Sequence, residues 1–178
     1  MEYNVISGAR ASGYEDAIEW LVSAGLLSRV YRAQMVSKPL ENYKDIDDFR
    51  IYLSDMGLLA VQKDIRAEDI FFMEEELADF RGGMTEYYVD TQLVRAGFRP
   101  YFWRNDKGTS EVDFLISLKG RIIPVEVKSG GNVSSSSLKE YIRLYRPDHC
   151  IRISEKNFGF ENDIRSVPLY AVFCISDD

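Results

Sequence analysis

The sequence predicts an α/β protein in which a mixed β-sheet is flanked by helices and preceded by a small α+β unit. Apolar residues make up 46% of the 178 residues, which is enough to build a packed core. Residues 81–178 show helical and strand periodicities in the order helix, three strands, helix, two strands. The chain has no internal repeat and no glycine-rich nucleotide-binding motif, so neither a repeat architecture nor such a nucleotide site is expected.

The first part of the chain, residues 1–64, is expected to form the smaller unit. Helical spacing, strand-like alternation and a glycine stop after the first helix define its elements. The expected order is helix, strand, polar connection, short strand and a brief helix capped by Asp55 or Ser54, over residues 12–24, 26–34, 39–48, 49–53 and 56–62. The acidic stretch 65–80 is interpreted as the segment that connects this unit to the larger domain.

The larger domain is expected to span residues 81–178. Gly82 and Gly83 are interpreted as a break before its first helix, and Gly97 as the end of that helix. The Lys119-Gly120 pair predicts a tight hairpin turn. The expected helix, three strands, helix and two strands cover residues 84–96, 99–105, 111–118, 121–128, 137–147, 149–154 and 167–175.

Overall charge and cysteine content restrict the functional classes. The formal net charge is −7, which argues against a protein that binds nucleic acid through bulk positive charge. Cys150 and Cys174 lie in apolar contexts without metal-ligand spacing, and both are interpreted as reduced core residues. With no secretion signal and no apolar run of about 18 residues, the protein is expected to be cytoplasmic and free of membrane contact.

Charged residues interrupt two predicted strands that are otherwise apolar. Side chains alternate between the two faces of a strand, so Glu126 and Lys128 should project to the same side. By the same rule Glu111 and Asp113 should share a face, opposite Val112 and Phe114. A hairpin would then place acidic groups of both strands next to one another.

The chemistry of this arrangement predicts a metal site. If Asp113 and Glu126 lie close together, each carboxylate raises the pKa of the other unless a cation neutralises them. Mg²⁺ or Mn²⁺ suits such oxygen ligands. Lys128 would then stabilise a phosphate oxyanion or help to position an attacking water. Two acids, a hard metal ion and a lysine are typical of phosphodiester hydrolysis.

A simpler interpretation of the same residues is a solvated hairpin face with cross-strand ion pairs. Two features favour a site instead. The Val-Glu-Val-Lys run follows Ile-Ile-Pro, as in an interior strand, and a Ser-Gly-Gly loop follows it at residues 129–131. Both alternatives remain open from the sequence.

Asp113, followed thirteen positions later by Glu126-Val127-Lys128, resembles the PD-(D/E)XK nuclease signature. Nucleases of that superfamily often add a glutamate from the preceding helix, and Glu86 in GMTEYYVDTQL occupies the matching helix. The residue before Asp113 is Val112, not the proline that gives the motif its name. The resemblance implies a restriction-endonuclease-like fold that acts on DNA. It also implies that Asp113, Glu126 and Glu86 bind the metal and that Lys128 takes part in catalysis.

Four segments resemble the C-terminal domain of unknown function of a prokaryotic family of AAA-type ATPases: RGGMTEYYVDTQLVRAG, YFWRN with EVDFLI, IIPVEVKSG and SLKEYIRLYRPDHCIRIS. YEDAIEWLVSAGLLSRVYR and FRIYLSDMGLLA resemble the winged-helix-like region that precedes that domain. The sequence lacks the phosphate-binding loop of the ATPase module, so the chain is expected to be a fragment or a relative without the motor. The implied partners are DNA, or an ATPase module or other protein. The alternative function is a non-catalytic interaction or regulatory module that keeps the nuclease fold.

Overall fold

The computed structural model describes residues 13–65, 78–129 and 136–176, with side chains from residue 82 in the second range. The helices are α1 (Glu15–Ser23), α2 (Met56–Gln62), α3 (Ala78–Arg95) and α4 (Ser136–Tyr145). The strands are β1 (Leu27–Ala33), β2 (Lys44–Leu53), β3 (Tyr101–Arg104), β4 (Glu111–Leu118), β5 (Arg121–Val127), β6 (Cys150–Ser154), β7 (Gly159–Glu161) and β8 (Ile164–Pro168). Short 3₁₀ helices cover Leu40–Tyr43 and Leu169–Cys174.

All eight of these strands belong to one sheet in the order β2-β1-β3-β4-β5-β6-β8-β7. Parallel pairing joins β1 to β3, β5 to β6 and β6 to β8, whereas the other neighbours are antiparallel. The predicted fold class, a mixed sheet flanked by helices, is therefore confirmed. The β1–β2 hairpin extends the same sheet that the C-terminal strands form. The division into units at 1–64, 65–80 and 81–178 stays a prediction.

Hydrophobic side chains cover both faces of the sheet. Val89 and Leu93 of α3 belong to a buried cluster on one face, while Leu138 and Tyr141 of α4 belong to a second cluster. Burying apolar area stabilises the fold by roughly 25 cal/mol per Å². Because a helix lies against each face, the central strands are apolar on both sides. A charged residue in such a strand is therefore unusual.

The predicted hairpin turn is confirmed. Lys119 and Gly120 have positive φ values of 47° and 70°, and Leu118 pairs with Arg121 across the turn. Two consecutive left-handed residues match the right-handed twist of the strands that they join. This turn fixes the register of β4 against β5.

The expectation that Val112 and Phe114 share a face is wrong. Val112 lies in the cluster with α4, whereas Phe114 lies in the cluster with α3. The cause is a bulge in β4, because Tyr101 pairs with Leu115 but Trp103 pairs with Val112. One extra residue on a strand reverses the alternation beyond it, and such bulges are frequent beside functional sites. The bulge lies immediately next to Asp113.

Two predicted element boundaries in the first half of the chain are wrong. The polar connection at 39–48 contributes its second half to β2, since Lys44 and Asp45 pair with β1. Gly82 and Gly83 do not precede a helix but lie inside α3, where tertiary packing overrides their low helix propensity. The start of α3 lies beside the end of β5, since a β-carbon on Gly82 would be 3.5 Å from the Ser129 hydroxyl oxygen.

The C-terminal expectations also need correction. The run 167–175 is not one strand: β8 ends at Pro168, and the rest forms a 3₁₀ helix that buries Ala171 and Val172. The sequence interpretation missed β7 altogether. Both cysteines are free, as expected, but only Cys150 is buried and Cys174 is exposed.

No described helix is both long and apolar enough to cross a membrane. Residue 12 of the first predicted helix and residues 66–77 of the predicted connecting segment lie outside the described residues.

Candidate functional site

The backbone pairing of β4 with β5 stops at the end of the hairpin that is remote from the Lys119-Gly120 turn. Its last register pair is Phe114 with Val125. Beyond that pair, the Val127 backbone N–H donates to the Asp113 carboxylate at 2.7 Å. The Asp113 side chain thus accepts a hydrogen bond from the backbone at the end of β5. This bond holds the Asp113 carboxylate against the strand that carries Glu126.

Glu126 is a buried acid with one satisfied and one unsatisfied oxygen. The residue is only 3% exposed. Its Oε1 lies 2.6 Å from Lys128 Nζ, and the Lys128 side chain keeps 29% of its surface exposed. Its Oε2 is buried without a hydrogen-bond partner among the described residues. An unsatisfied carboxylate oxygen is costly to bury, so this atom has the capacity to bind a further donor or a cation.

Electrostatic coupling links the predicted acids. Burial raises the pKa of Asp113 well above its usual value, and the nearby Glu126 and Glu86 carboxylates raise it further. Burial also raises the pKa of Glu86, with contributions from Glu111 and Glu126 and an opposing one from Arg50. The fold therefore brings acids from α3, β4 and β5 within electrostatic reach of one another.

Convergence of these acids is incomplete. Across residues 13–65, 78–129 and 136–176, no three His, Cys, Asp or Glu side chains are grouped closely enough to hold a metal ion. The Glu86 side chain is 35% exposed, and its Oε2 lies 3.8 Å from Arg50 Nη1. Direct contacts at the end of β5 join Asp113 to Val127 and Lys128 to Glu126. Glu86 instead lies against Arg50.

Arg50 on β2 is the site residue that the sequence interpretation missed. It forms an ion pair with Glu111, and its guanidinium carbon lies 4.5 Å from the centre of the Phe102 ring. Burial alone would lower the pKa of Arg50, but the neighbouring Tyr52, Glu111 and Glu86 raise it overall. The available signal was strand alternation, because Arg50 precedes the buried Tyr52 by two positions and so shares its face.

Further ion pairs connect this region to the surface. Arg104 contacts both Asp48 and Glu111, the latter at 3.9 Å. Arg32 lies 3.9 Å from Asp48 and 3.1 Å from Asp106. Asp48 of β2 thus contacts arginines from both β1 and β3, and Arg104 of β3 also contacts Glu111, which places this acid in an ion-pair network.

A separate cavity of about 670 Å³ lies elsewhere, between α1, β1 and the C-terminal half of α3. Its lining includes Ser28 and Asp90 but none of the four predicted site residues. Asp90 is fully buried, and no described residue makes a well-aligned hydrogen bond to either of its oxygens. This cavity and the Asp113–Glu126 pair are distinct features of the fold.

The carboxylates of Asp113 and Glu126, at the end of the β4–β5 hairpin remote from its turn, are of the type that a hard divalent cation prefers. Carboxylate oxygens are the preferred ligands of Mg²⁺ and Mn²⁺. The Glu126 Oε2, which has no partner among the described residues, offers one such oxygen. Burial is the main cause of the raised pKa of Asp113, and the Glu126 and Glu86 carboxylates add a repulsion that a cation would relieve. Asp113 and Glu126 are therefore the residues that would hold the predicted ion, with Glu86 as a third acid on the neighbouring helix, and the metal site stays a prediction.

A family model described as "Domain of unknown function (DUF4143)" matches residues 81–172, more than half of the chain. The matched range contains Glu86, Asp113, Glu126 and Lys128, but not Arg50. No curated protein and no solved structure shows significant similarity to the chain. The description of the family names no activity, and the association with an ATPase stays a prediction.

Proposed function

The chain belongs to the DUF4143 family of domains of unknown function, and we propose that it hydrolyses phosphodiester bonds of DNA with a divalent cation. The finer fold assignment proposed here is the PD-(D/E)XK nuclease fold, with a winged-helix-like unit before it. The order of elements supports this assignment, because Glu86 lies on α3, Asp113 on β4 and Glu126 at the end of β5. A further helix, α4, follows in the expected place.

One observation carries the proposal. Glu126 has a buried oxygen without a partner among the described residues, and its carboxylate is coupled to that of Asp113. A solvated hairpin face would leave both acids in water, where neither burial nor repulsion matters greatly. The burial of Glu126 therefore favours a binding role over that simpler interpretation.

In this proposal Asp113 and Glu126 bind Mg²⁺ or Mn²⁺, and Glu86 assists. A bound divalent cation would stabilise charge on the phosphate and lower the pKa of a water molecule. Asp113 is held in place by the Val127 N–H, so it needs little reorganisation before it binds. Such fixed placement is what a catalytic site requires of its ligands.

Lys128 is proposed as the catalytic cation. Its ammonium contacts Glu126 Oε1, and the Lys128 side chain is 29% exposed, so it can reach a phosphate that approaches from solvent. There it would donate hydrogen bonds to the negative charge that develops on the phosphate oxygens. Lysine is well suited to this role, because its ammonium is a compact charge on a flexible stem.

Contact with DNA would depend on local cations, since the net charge is −7. Lys139 and Arg143 are exposed on α4. Basic side chains of this kind position nucleic acid through its phosphates without reading the sequence.

The test is cleavage of duplex, single-stranded and branched DNA by the full chain while Mg²⁺ or Mn²⁺ is titrated. Asp113→Asn and Glu126→Gln keep the side-chain shape but remove a ligand charge, and both should lose cleavage. Glu161→Gln, on the exposed strand β7, is the matched control and should cleave like the parent. Metal-independent cleavage, or cleavage that survives in both site variants, would contradict the proposal.

The alternative, a non-catalytic interaction module, is favoured by a different observation. Phe158, Phe160, Tyr170 and Phe173 are all more than half exposed. Phe160 lies on the edge strand β7, and the ring of the preceding Phe158 is 6.5 Å from that of Tyr170. Exposed aromatic residues are typical of protein-binding surfaces. Replacing Phe160 and Phe173 with serine should abolish partner binding under this alternative and leave DNA cleavage unchanged under the first proposal.

A further inference from the structure

We propose that Arg50 is a built-in competitor for the divalent cation. Its guanidinium engages Glu86 and Glu111, and binding of the ion would require Glu86 to leave it. The inference rests on the proposed metal site and assigns a regulatory role to a residue outside the family-matched range 81–172. The β1–β2 region thereby becomes part of the site.

The first argument is the position of the Arg50 charge. Its Nη2 forms an ion pair with Glu111 Oε1, and its Nη1 lies 3.8 Å from Glu86 Oε2. One guanidinium thus spans two acids that belong to different elements, α3 and β4. A guanidinium presents its donors in a rigid fork, which makes such a double contact favourable.

The second argument is that Arg50 is held where it is. Its guanidinium lies over the Phe102 ring, and its Nη1 is 3.4 Å from the Tyr52 hydroxyl oxygen. Only 23% of the side chain is exposed. A cation that is packed against an aromatic ring and shielded from water interacts strongly with nearby carboxylates.

The third argument concerns the acids themselves. Glu86, Asp113 and Glu126 influence one another electrostatically, yet no three acids in the described parts of the chain are grouped as metal ligands. The contact between Glu86 and Arg50 accounts for this, because it directs Glu86 toward β2. A positive charge at that place also opposes a second cation, so Arg50 weakens metal binding both by occupying a ligand and by repulsion.

The main experiment is calorimetric titration of Mn²⁺ into the full chain at one fixed neutral pH. Arg50→Gln and Arg50→Met remove the charge, Arg50→Lys keeps it, and Arg121→Gln alters an arginine at the opposite end of β5. Circular dichroism shows which variants are folded. We expect the two neutral variants to bind Mn²⁺ about tenfold more tightly than the parent. Arg50→Lys should stay within about threefold, because its charge is conserved.

The outcomes separate this inference from the proposed function. In one outcome, Mn²⁺ binding depends on Asp113 and Glu126 and yet is unchanged or weaker in Arg50→Gln and Arg50→Met. That result would overturn the role of Arg50 and leave the proposed metal site standing. If neither the parent nor any variant binds Mn²⁺, the metal site and the inference both fail. Binding seen only after Arg50 is neutralised would support the competition in its strongest form.

A second measurement uses only the parent protein, so it does not depend on the folding of a variant. Nuclear magnetic resonance of ¹⁵N-labelled arginine reports the environment of the Arg50 side-chain N–H groups. Saturating diamagnetic Mg²⁺ should shift the Arg50 signals as Glu86 is released and leave the Arg121 signals in place. Arg50 signals that do not change while Mg²⁺ is bound would contradict the inference.

Discussion

Two regions of this fold bury acidic side chains, and they differ in what surrounds the carboxylates. Asp90, on α3, is fully buried, and burial raises its pKa to about 7, with the nearby Ser28 hydroxyl offsetting this only in part. Asp113 also has a raised pKa, but there the Glu126 and Glu86 carboxylates add to the effect of burial. Asp113 in addition accepts the Val127 N–H, and Lys128 contacts Glu126.

The comparison shows why a perturbed acid is not by itself a functional site. Loss of water is enough to raise the pKa at Asp90, and no cation is within ion-pairing distance of it in the described chain. Around Asp113, by contrast, charged groups from α3, β2 and β5 lie within electrostatic reach of one another, and each modifies the others. Convergence of this kind, more than the size of a pKa shift, is what catalysis and metal binding use.

The largest predicted effect concerns pH and Asp90. Its folded-state pKa of about 7 exceeds the unfolded value, so the folded protein binds more protons between about pH 4 and pH 7. Stability should therefore fall as pH rises through this window, by roughly 4 kcal/mol at most. Urea unfolding of the parent and of Asp90→Asn at several pH values measures how the free energy of unfolding depends on pH. The difference between the two proteins should grow with pH and level off above pH 7, and a constant difference would contradict the burial of a neutral carboxyl.

The second predicted effect separates the two acid sites by their response to metal. Mn²⁺ at about 100 times its dissociation constant should stabilise the parent by about 2.7 kcal/mol. Asp113→Asn and Glu126→Gln should lose this stabilisation, whereas Asp90→Asn should keep it. Thermal unfolding with and without Mn²⁺ measures the effect. Loss of the response in Asp90→Asn as well would remove the distinction between the two places.

The third prediction tests the partner of Glu126. Lys128→Met leaves a carboxylate that is 3% exposed without its ammonium, which is unfavourable. Because the lysine itself is partly solvated, we expect a loss of about 1–2 kcal/mol in the free energy of unfolding near neutral pH. Lys128→Arg keeps the charge and serves as the control. Equal stability of the methionine variant and the parent would show that the contact with Lys128 does not stabilise the fold.

The smallest predicted effect comes from an exposed pair. Arg121 and Asp148 form an ion pair, but their side chains are 60% and 52% exposed. Water and salt screen such a pair, so Asp148→Asn should change the free energy of unfolding by less than about 0.5 kcal/mol. Denaturant unfolding at low and high salt provides the comparison. A larger loss would mean that surface pairs in this protein are stronger than their exposure allows.

Much of the fold could be predicted because local signals agree with it. The hairpin was predictable because the apolar runs on either side of Lys119-Gly120 can pair only if that turn is tight. The 3₁₀ helix at Leu169–Cys174 could not be predicted, since a short apolar run fits a strand and a buried helical turn equally well. The continuation of α3 through Gly82 and Gly83 depends on tertiary contacts that a local propensity does not contain.

The candidate site was predictable only where its residues lie close together in the sequence. Glu126 and Lys128 are two residues apart at the end of β5, so their contact follows from the geometry of an extended backbone. The bulge beside Asp113 arises from the pairing of β4 with β3 and has no signal within β4 itself. Arg50 reaches Glu86 and Glu111 from β2, and nothing local to either acid points to it.

The most direct test of the metal site is the anomalous scattering of manganese in crystals of the full chain grown with Mn²⁺. We predict a peak between the carboxylates of Asp113 and Glu126 that disappears in Glu126→Gln crystals. A fully occupied structure with no manganese at these oxygens, or with the ion bound only elsewhere, would contradict the account.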